Sequence, residues 1–178
     1  MRYHSNRILL ITLTGLLAVP LMGQGKTDQQ IVYKPVGVFH SGYSERTGAP
    51  RQGILKPDGK GTIEIFNEYQ GALKSLELFE YIIVIYHFDK AYNWNLIARP
   101  PASDPDLTFG LFATRSPNRP NPIGIATVRL EKTENGKLHV SGIDAFDGTP
   151  VLDIKPYLPS IDCVKSSVNE QAEKKLGL

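Results

Sequence analysis

Nine consecutive residues, Thr114-Arg115-Ser116-Pro117-Asn118-Arg119-Pro120-Asn121-Pro122, set two guanidinium groups and two carboxamides among three prolines. Each proline fixes φ, so a ligand that docks here finds little conformational freedom left to remove. A guanidinium fork grips a carboxylate through two parallel hydrogen bonds, a geometry that lysine does not offer. Further along, Asp144-Ala145-Phe146-Asp147-Gly148-Thr149-Pro150 places carboxylates beside a glycine whose backbone can approach a ligand closely. Rigid, polar turns of this kind hold a site rather than merely reverse the chain.

The elements that position these turns read as short strands. Residues 123–132 and 137–143 flank Glu134-Asn135-Gly136, and Asn-Gly between two such runs signals a hairpin. Residues 151–155 add a strand after the second turn. Upstream, residues 32–40 alternate weakly and read as a first strand, residues 41–60 as a long loop, and residues 63–66 as a short strand. Residues 67–76 suit one or two helical turns with Asn67 as cap. Residues 78–88, rich in Ile, Val and Tyr, read as a strand apolar enough for burial on both faces. Residues 93–98 and 107–114 read as strands parted by Arg99-Pro100-Pro101, and residues 166–178 as a polar, weakly helical tail. Six to eight short strands without a repeat indicate a sheet closed into a barrel or a sandwich.

With 178 residues, 41% of them hydrophobic and 21% charged, the chain suits one domain with a short appendage. Sixteen glycines and 13 prolines exclude an all-helical fold and favour many turns. Residues 1–25 have the order of a secretory signal peptide: Arg2 and Arg7 with no acid, an apolar run over residues 8–19, then small residues to Gly25. That run is shorter than the roughly 20 residues a membrane span needs, so no stable span is expected. Cleavage predicts an exported or periplasmic protein, and translation from Met22 a cytoplasmic one. Loss of Arg2 and Arg7 with the leader brings the formal net charge from +2 to zero, so whole-chain basicity does not draw nucleic acid. Cys163 is alone and forms no internal disulfide. His4, His40, His87 and His139 are scattered without ligand spacing, so no metal is expected. No G-x-G-x-x-G opens a strand-turn-helix unit, which disfavours a doubly wound nucleotide fold.

The blocks FATRSPNRPNPIG and DGTPVLDIKPYLP, with Ala49-Pro50-Arg51-Gln52-Gly53 upstream and Tyr86-His87-Phe88 between, resemble the TsaA-like family, which includes the TrmO tRNA methyltransferases. Four blocks in order make a specific match that covers residues 35–162. The resemblance implies a mainly β fold, a single-sheeted β-barrel with one or two short helices. The expected organisation is a leader over 1–25, a linker over 26–32, the barrel over 33–162 and a tail over 163–178. It further implies a homodimer that binds S-adenosylmethionine and methylates the exocyclic nitrogen of the adenosine beside the anticodon of certain tRNAs.

Carried over residue by residue, the family's cofactor-binding positions fall on Pro50, Arg51, Gln52, His87, Phe88, Arg115, Ile125, Ala145, Phe146, Asp147 and Gly148. Arg51 or Arg115 would clamp the donor's carboxylate, and Phe88 or Phe146 would cover its adenine. Adenine's amine is a poor nucleophile, so the acceptor nitrogen must be aligned and its hydrogens received. Asn121, before Pro122, is the candidate acceptor of that hydrogen bond, with Asp147 and Asp153 as further catalytic candidates. Plainer roles exist for several: Asp147-Gly148 as a turn, Asp153 with Lys155 as a cross-strand pair, His87 as a strand-end residue. One departure is His40-Ser41-Gly42-Tyr43, where many relatives carry an Arg-Ser-Pro turn. Alternative readings are an exported, non-catalytic nucleoside-binding barrel, or a methyltransferase with a small-molecule acceptor.

Overall fold

Along β6 (Ile123–Glu134), burial alternates from Ile123 to Arg129 and turns Gly124, Ala126 and Val128 inward, the period of two expected of a half-buried strand. The structure, a computed structural model, describes residues 30–101 and 103–176. The chain divides into Met1–Val32 and Tyr33–Leu178, and all elements below belong to the second unit. The expected leader and most of the expected linker lie outside the described residues.

Six strands close into one antiparallel barrel: β1 (Gly37–Ser41), β2 (Lys60–Ile65), β7 (Lys137–Ser141), β6, β3 (Tyr81–His87) and β8 (Pro150–Pro156), with β8 pairing back to β1. The barrel and its single sheet match the sequence expectation. Closure leaves no strand edge open among these six, so every ladder has a partner. The interior is filled by Phe39, Ile63, Ile65, Ile82, Val84, Tyr86, Val128, Leu138, Val140 and Val151. Each fully buried aliphatic side chain here contributes about 1.5–3 kcal/mol. Ile143 and Ala145, beyond the end of β7, belong to the same buried cluster. At the β6–β7 hairpin, Asn135 (φ 49°) and Gly136 (φ 72°) both take left-handed conformations, as a two-residue turn of this type requires.

Several elements differ from the sequence reading. β1 starts at Gly37 rather than residue 32, and β2 starts earlier, at Lys60. β3 buries only Ile82, Val84 and Tyr86, while Ile83 and Ile85 stay half-exposed, because a single-layered barrel encloses one face of each strand. The helical turns over residues 67–76 are 3-10 segments, Asn67–Leu73 and Leu76–Leu78. Asn67 is no cap, since its Oδ1 accepts from Gln70 Nε2 at 3.0 Å. The two strands expected around Pro100 shrink to two-residue pieces, β4 (Ile97–Ala98) and β5 (Phe109–Gly110), that pair only with each other. Adjacent prolines offer no donors to extend that ladder. Two short helices follow the barrel, α1 (Pro159–Asp162) and α2 (Ser167–Lys175), the latter capped by Ser166 Oγ accepting from the Asn169 N–H at 3.3 Å. No helix among the described residues is long and apolar enough to cross a membrane.

One close approach governs the barrel mouth. The β3–β6 register sets Gly124 opposite Tyr86, and a Cβ at Gly124 would overlap the Tyr86 ring. Gly124→Ala therefore destabilises the fold by about 1–3 kcal/mol, the cost of overpacking a filled core. Urea unfolding checks this, with a lower midpoint and an unchanged slope as the expected result.

Candidate functional site

Where β3 and β6 meet at the barrel mouth, the chain encloses a cavity of about 440 Å³. Its floor is Tyr86, Gly124 and Asp144. One wall comes from Ala49, Pro50, Arg51 and Gln52 of the long loop, another from residues 114–119, and a third from Phe88 and residues 89–91. Ala145, Phe146 and Thr149 complete it. Ile123 and Ile125, on the outward face of β6, also line it, so the cavity runs from the barrel end onto the outer surface.

Tyr86 is held by shape and by charge. Its ring meets Phe39 at 5.7 Å and Phe88 at 5.1 Å between centroids, both edge to face. Its hydroxyl donates to Asp144 Oδ1 at 3.0 Å. The other oxygen of Asp144 accepts from the Gly53 backbone N–H at 3.2 Å. Burial pushes the Asp144 carboxyl above the usual carboxylate value, against the pull of the Tyr86 and Gly53 hydrogen bonds and of the Arg115 charge. Burial, reinforced by the Asp144 charge, also pushes the Tyr86 phenol up, so it stays a hydroxyl donor. Gly53 reaches this carboxylate because it has no side chain: a Cβ there would overlap the Gly142 carbonyl oxygen.

The arginine turn is stiffened by more than its prolines. Arg119 Nη1 donates back to the Thr114 carbonyl at 3.0 Å and the Ser116 carbonyl at 3.3 Å, and its guanidinium lies 5.7 Å from the Phe112 ring. The turn is tied to β3 where the Phe88 N–H donates to the Pro122 carbonyl at 2.8 Å. Arg115 Nη1 donates to Gln52 Oε1 at 2.7 Å, which joins this wall to the opposite one. Among the described residues, Arg51, Arg115 and Arg119 have no carboxylate partner within 4.0 Å. Their charge is thus available to a bound anion.

Of the residues named from sequence, Pro50, Arg51, Gln52, Phe88, Arg115, Ile125, Ala145 and Phe146 line the one cavity. His87, Asn121, Asp147, Gly148 and Asp153 do not. Asp147 Oδ1 instead accepts from the Ser41 backbone N–H at 3.1 Å and lies 3.7 Å from His40 Nδ1. Gly148, at φ 80°, turns the chain so that its N–H reaches the Phe39 carbonyl at 2.9 Å. Asn121 is exposed, between the lining residues Arg119 and Ile123, and its carbonyl accepts from the Ile123 N–H at 2.8 Å. Asp153 pairs with Lys155 at 2.6 Å along one face of β8, rather than across strands. Sequence reasoning named no role for Asp144, Tyr86, Asp89 or Lys90. Tyr86 belongs to the inward series Ile82, Val84, Tyr86, which a strand read as buried on both faces did not single out. Asp144 had only its place in the aspartate turn. Among the described residues, no group of three His, Cys, Asp or Glu is placed to hold a metal ion.

Comparison with known proteins identifies this architecture. Residues 38–163 match the family model of the tRNA-methyltransferase O N-terminal domain. An S-adenosyl-L-methionine-binding protein of Archaeoglobus fulgidus is 43% identical over 141 residues, 79% of this chain and 99% of the relative. A tRNA (adenine(37)-N6)-methyltransferase of Rattus norvegicus is 38% identical over 138 residues, 74% of this chain and 32% of the relative. The crystal structure of TrmO from Pseudomonas aeruginosa superposes with a TM-score of 0.64 at 38% identity, covering 78% of this chain and 61% of that one. The chain thus spans about a third of the rat protein and about three fifths of the crystallised chain.

The raised Asp144 carboxyl has a measurable consequence for stability. Between the ordinary value of 3.8 and the raised one, the folded chain holds a proton that the unfolded chain has released, so stability falls as pH rises through that window. Above it, the ionised carboxylate bears its desolvation cost. Asp144→Asn lacks this dependence, so its stability relative to the parent increases as pH rises above 3.8. Urea unfolding of both proteins across that range checks it, and a constant difference contradicts the stated environment of Asp144.

Proposed function

Because the chain belongs to the family of tRNA-methyltransferase O N-terminal domains, we propose that it is an S-adenosylmethionine-dependent methyltransferase that acts on the exocyclic nitrogen of an adenosine in tRNA. The observation that carries this reading is the cavity itself. Eight residues expected to bind the donor line a single hollow, whose volume lies within the roughly 300–1,000 Å³ usual for small-molecule sites. Its composition suits the donor: cationic forks for a carboxylate, aromatic and aliphatic surfaces for a purine, and a half-buried carboxylate for polar hydrogens.

S-adenosylmethionine supplies, when bound, a methyl group already activated on a sulfonium. The protein's work is to bind and align. Arg115, its fork held by Gln52, or Arg51 grips the amino-acid carboxylate. Phe88 and Phe146 offer flat faces to the adenine, and Ile125 offers apolar surface beside them. Asp147, Gly148 and His87 shape the strand ends and the loop that present Ala145, Phe146 and Phe88. Asn121 stands exposed on the side from which an acceptor enters. Uncompensated arginines at the mouth favour a polyanionic acceptor although the formal net charge of the whole sequence is only +2.

The same reading includes a homodimer. It is supported by apolar side chains left in water beside the cavity: Tyr92, Trp94, Leu96, Ile97 and Phe112, with Ile123 and Ile125 of β6. Location follows from residues 1–25, through cleavage and export, or through initiation at Met22 and retention in the cytoplasm. Sequencing the mature N-terminus in the native host separates the two, and an intact Met1 or a start at Met22 defeats export.

Calorimetric titration tests the donor site. S-adenosylmethionine and S-adenosylhomocysteine bind the parent protein, and Arg115→Ala weakens the first roughly 10- to 100-fold, the worth of hydrogen bonds to a charged group. No heat with either ligand refutes the proposal. Mass analysis of nucleosides from tRNA incubated with protein and donor tests the acceptor, with N6-methylated adenosine as the expected product.

A further inference from the structure

Two carboxylates line the cavity, and they differ in kind. Asp89 is paired with Lys90 at 3.2 Å. Asp144 has no cationic partner within 4.0 Å among the described residues and is held only by neutral donors, the Tyr86 hydroxyl and the Gly53 N–H. Each of its oxygens accepts one hydrogen bond and keeps a further lone pair. The side chain is half-buried and lines the cavity.

Methyl transfer from a sulfonium to a neutral amine moves positive charge from sulfur to nitrogen. A carboxylate beside the sulfur stabilises the starting state, whereas one beside the nitrogen stabilises the transition state. A fixed carboxylate in a low-dielectric recess counts most where charge develops. We propose that Asp144 is the catalytic residue on the acceptor side: its carboxylate accepts a hydrogen bond from the exocyclic N–H of the adenine and takes that proton as the methyl group is transferred. This rests on the methyltransferase reading above.

The step balances. The nitrogen lone pair forms the N–CH3 bond, the S–CH3 bond breaks, and its electron pair stays on sulfur as a neutral thioether. The N–H proton passes to Asp144, which returns it to water after product leaves. Tyr86 and Gly53 fix the direction of the carboxylate, and burial strengthens it as a base. The other charged groups lining the cavity are Arg51, Arg115 and Arg119 from the loops and Asp89 and Lys90 after β3. Of these, Arg115 acts against burial and lowers the Asp144 carboxyl.

The test compares the parent, Asp144→Asn and Tyr86→Phe in three measurements. The first is the single-turnover rate with S-adenosylmethionine and tRNA purified from cells that lack this protein, read at position 37, the position named for the rat relative. The second is donor affinity by calorimetry. The third is titration of the Asp144 carboxyl by carbon-13 NMR in the ligand-free protein. Asp144→Asn lowers the rate roughly a hundredfold or more with donor affinity within about threefold of the parent. Tyr86→Phe removes a bond that lowers the carboxyl, so the NMR titration and the ascending limb of the rate profile move together to higher pH. An undiminished rate in Asp144→Asn, a loss confined to donor affinity, or a rate profile unrelated to the NMR titration overturns the inference alone. A parent protein that transfers no methyl to that cellular tRNA defeats the methyltransferase reading and this inference with it.

Discussion

The Asp144 carboxylate sits between the Tyr86 hydroxyl at 3.0 Å and the Gly53 N–H at 3.2 Å, and these two bonds connect three distant parts of the chain. Tyr86 is the last residue but one of β3, Gly53 lies in the loop that carries Pro50, Arg51 and Gln52, and Asp144 follows β7, which β6 separates from β3. A carboxylate withdrawn from water is costly unless its oxygens are met by donors. Meeting them pins the loop to the barrel mouth. One buried acid therefore sets where the cavity's floor and one of its walls stand relative to each other.

Two glycines make that arrangement sterically possible. At Gly124 the missing side chain is the space in which the Tyr86 ring lies, and at Gly53 it is the space taken by the Gly142 carbonyl. Neither glycine has a positive φ. They are required for contact rather than for backbone conformation. The closed barrel supplies the rigid frame, since each of the six strands is paired on both sides and the interior is mainly apolar.

Charge is arranged unevenly around this frame. On the outer faces of the strands, cations are answered by acids: Arg129 with Glu80, Lys132 with Glu134, Lys137 with Glu64, Lys155 with Asp153. Exposed pairs of this kind contribute little to stability. At the cavity, among the described residues, the arginines have no such acids and Asp144 has neutral partners. Local charges left open to a ligand matter more here than the small net charge of the sequence. The four blocks that carry the family resemblance, residues 49–53, 86–88, 112–124 and 147–159, each contribute to the cavity lining, the last through Thr149 alone.

The amino-acid sequence by itself determined much of this protein. Asn135-Gly136 gave the hairpin, and the family resemblance gave eight residues of the cavity wall, five of them inside its four blocks. These features are local, carried by turn chemistry and block order. The inward series Ile82, Val84, Tyr86 was not legible, because an unbroken apolar run marks no single inward face. Which aspartate of the turn faces the cavity was decided only by the tertiary structure. Asp144 and Asp147 lie three residues apart in an irregular segment, where no period assigns a direction. Asp147 is drawn to the end of β1 by the Ser41 N–H, and Asp144 is drawn inward by Tyr86 and Gly53. Arg119 is similar: turn composition alone makes it the equal of Arg115, although the family pattern falls only on Arg115, and folding commits its Nη1 to the carbonyls of its own turn. Such choices depend on donors far away in the chain, which come within reach only when the sheet closes.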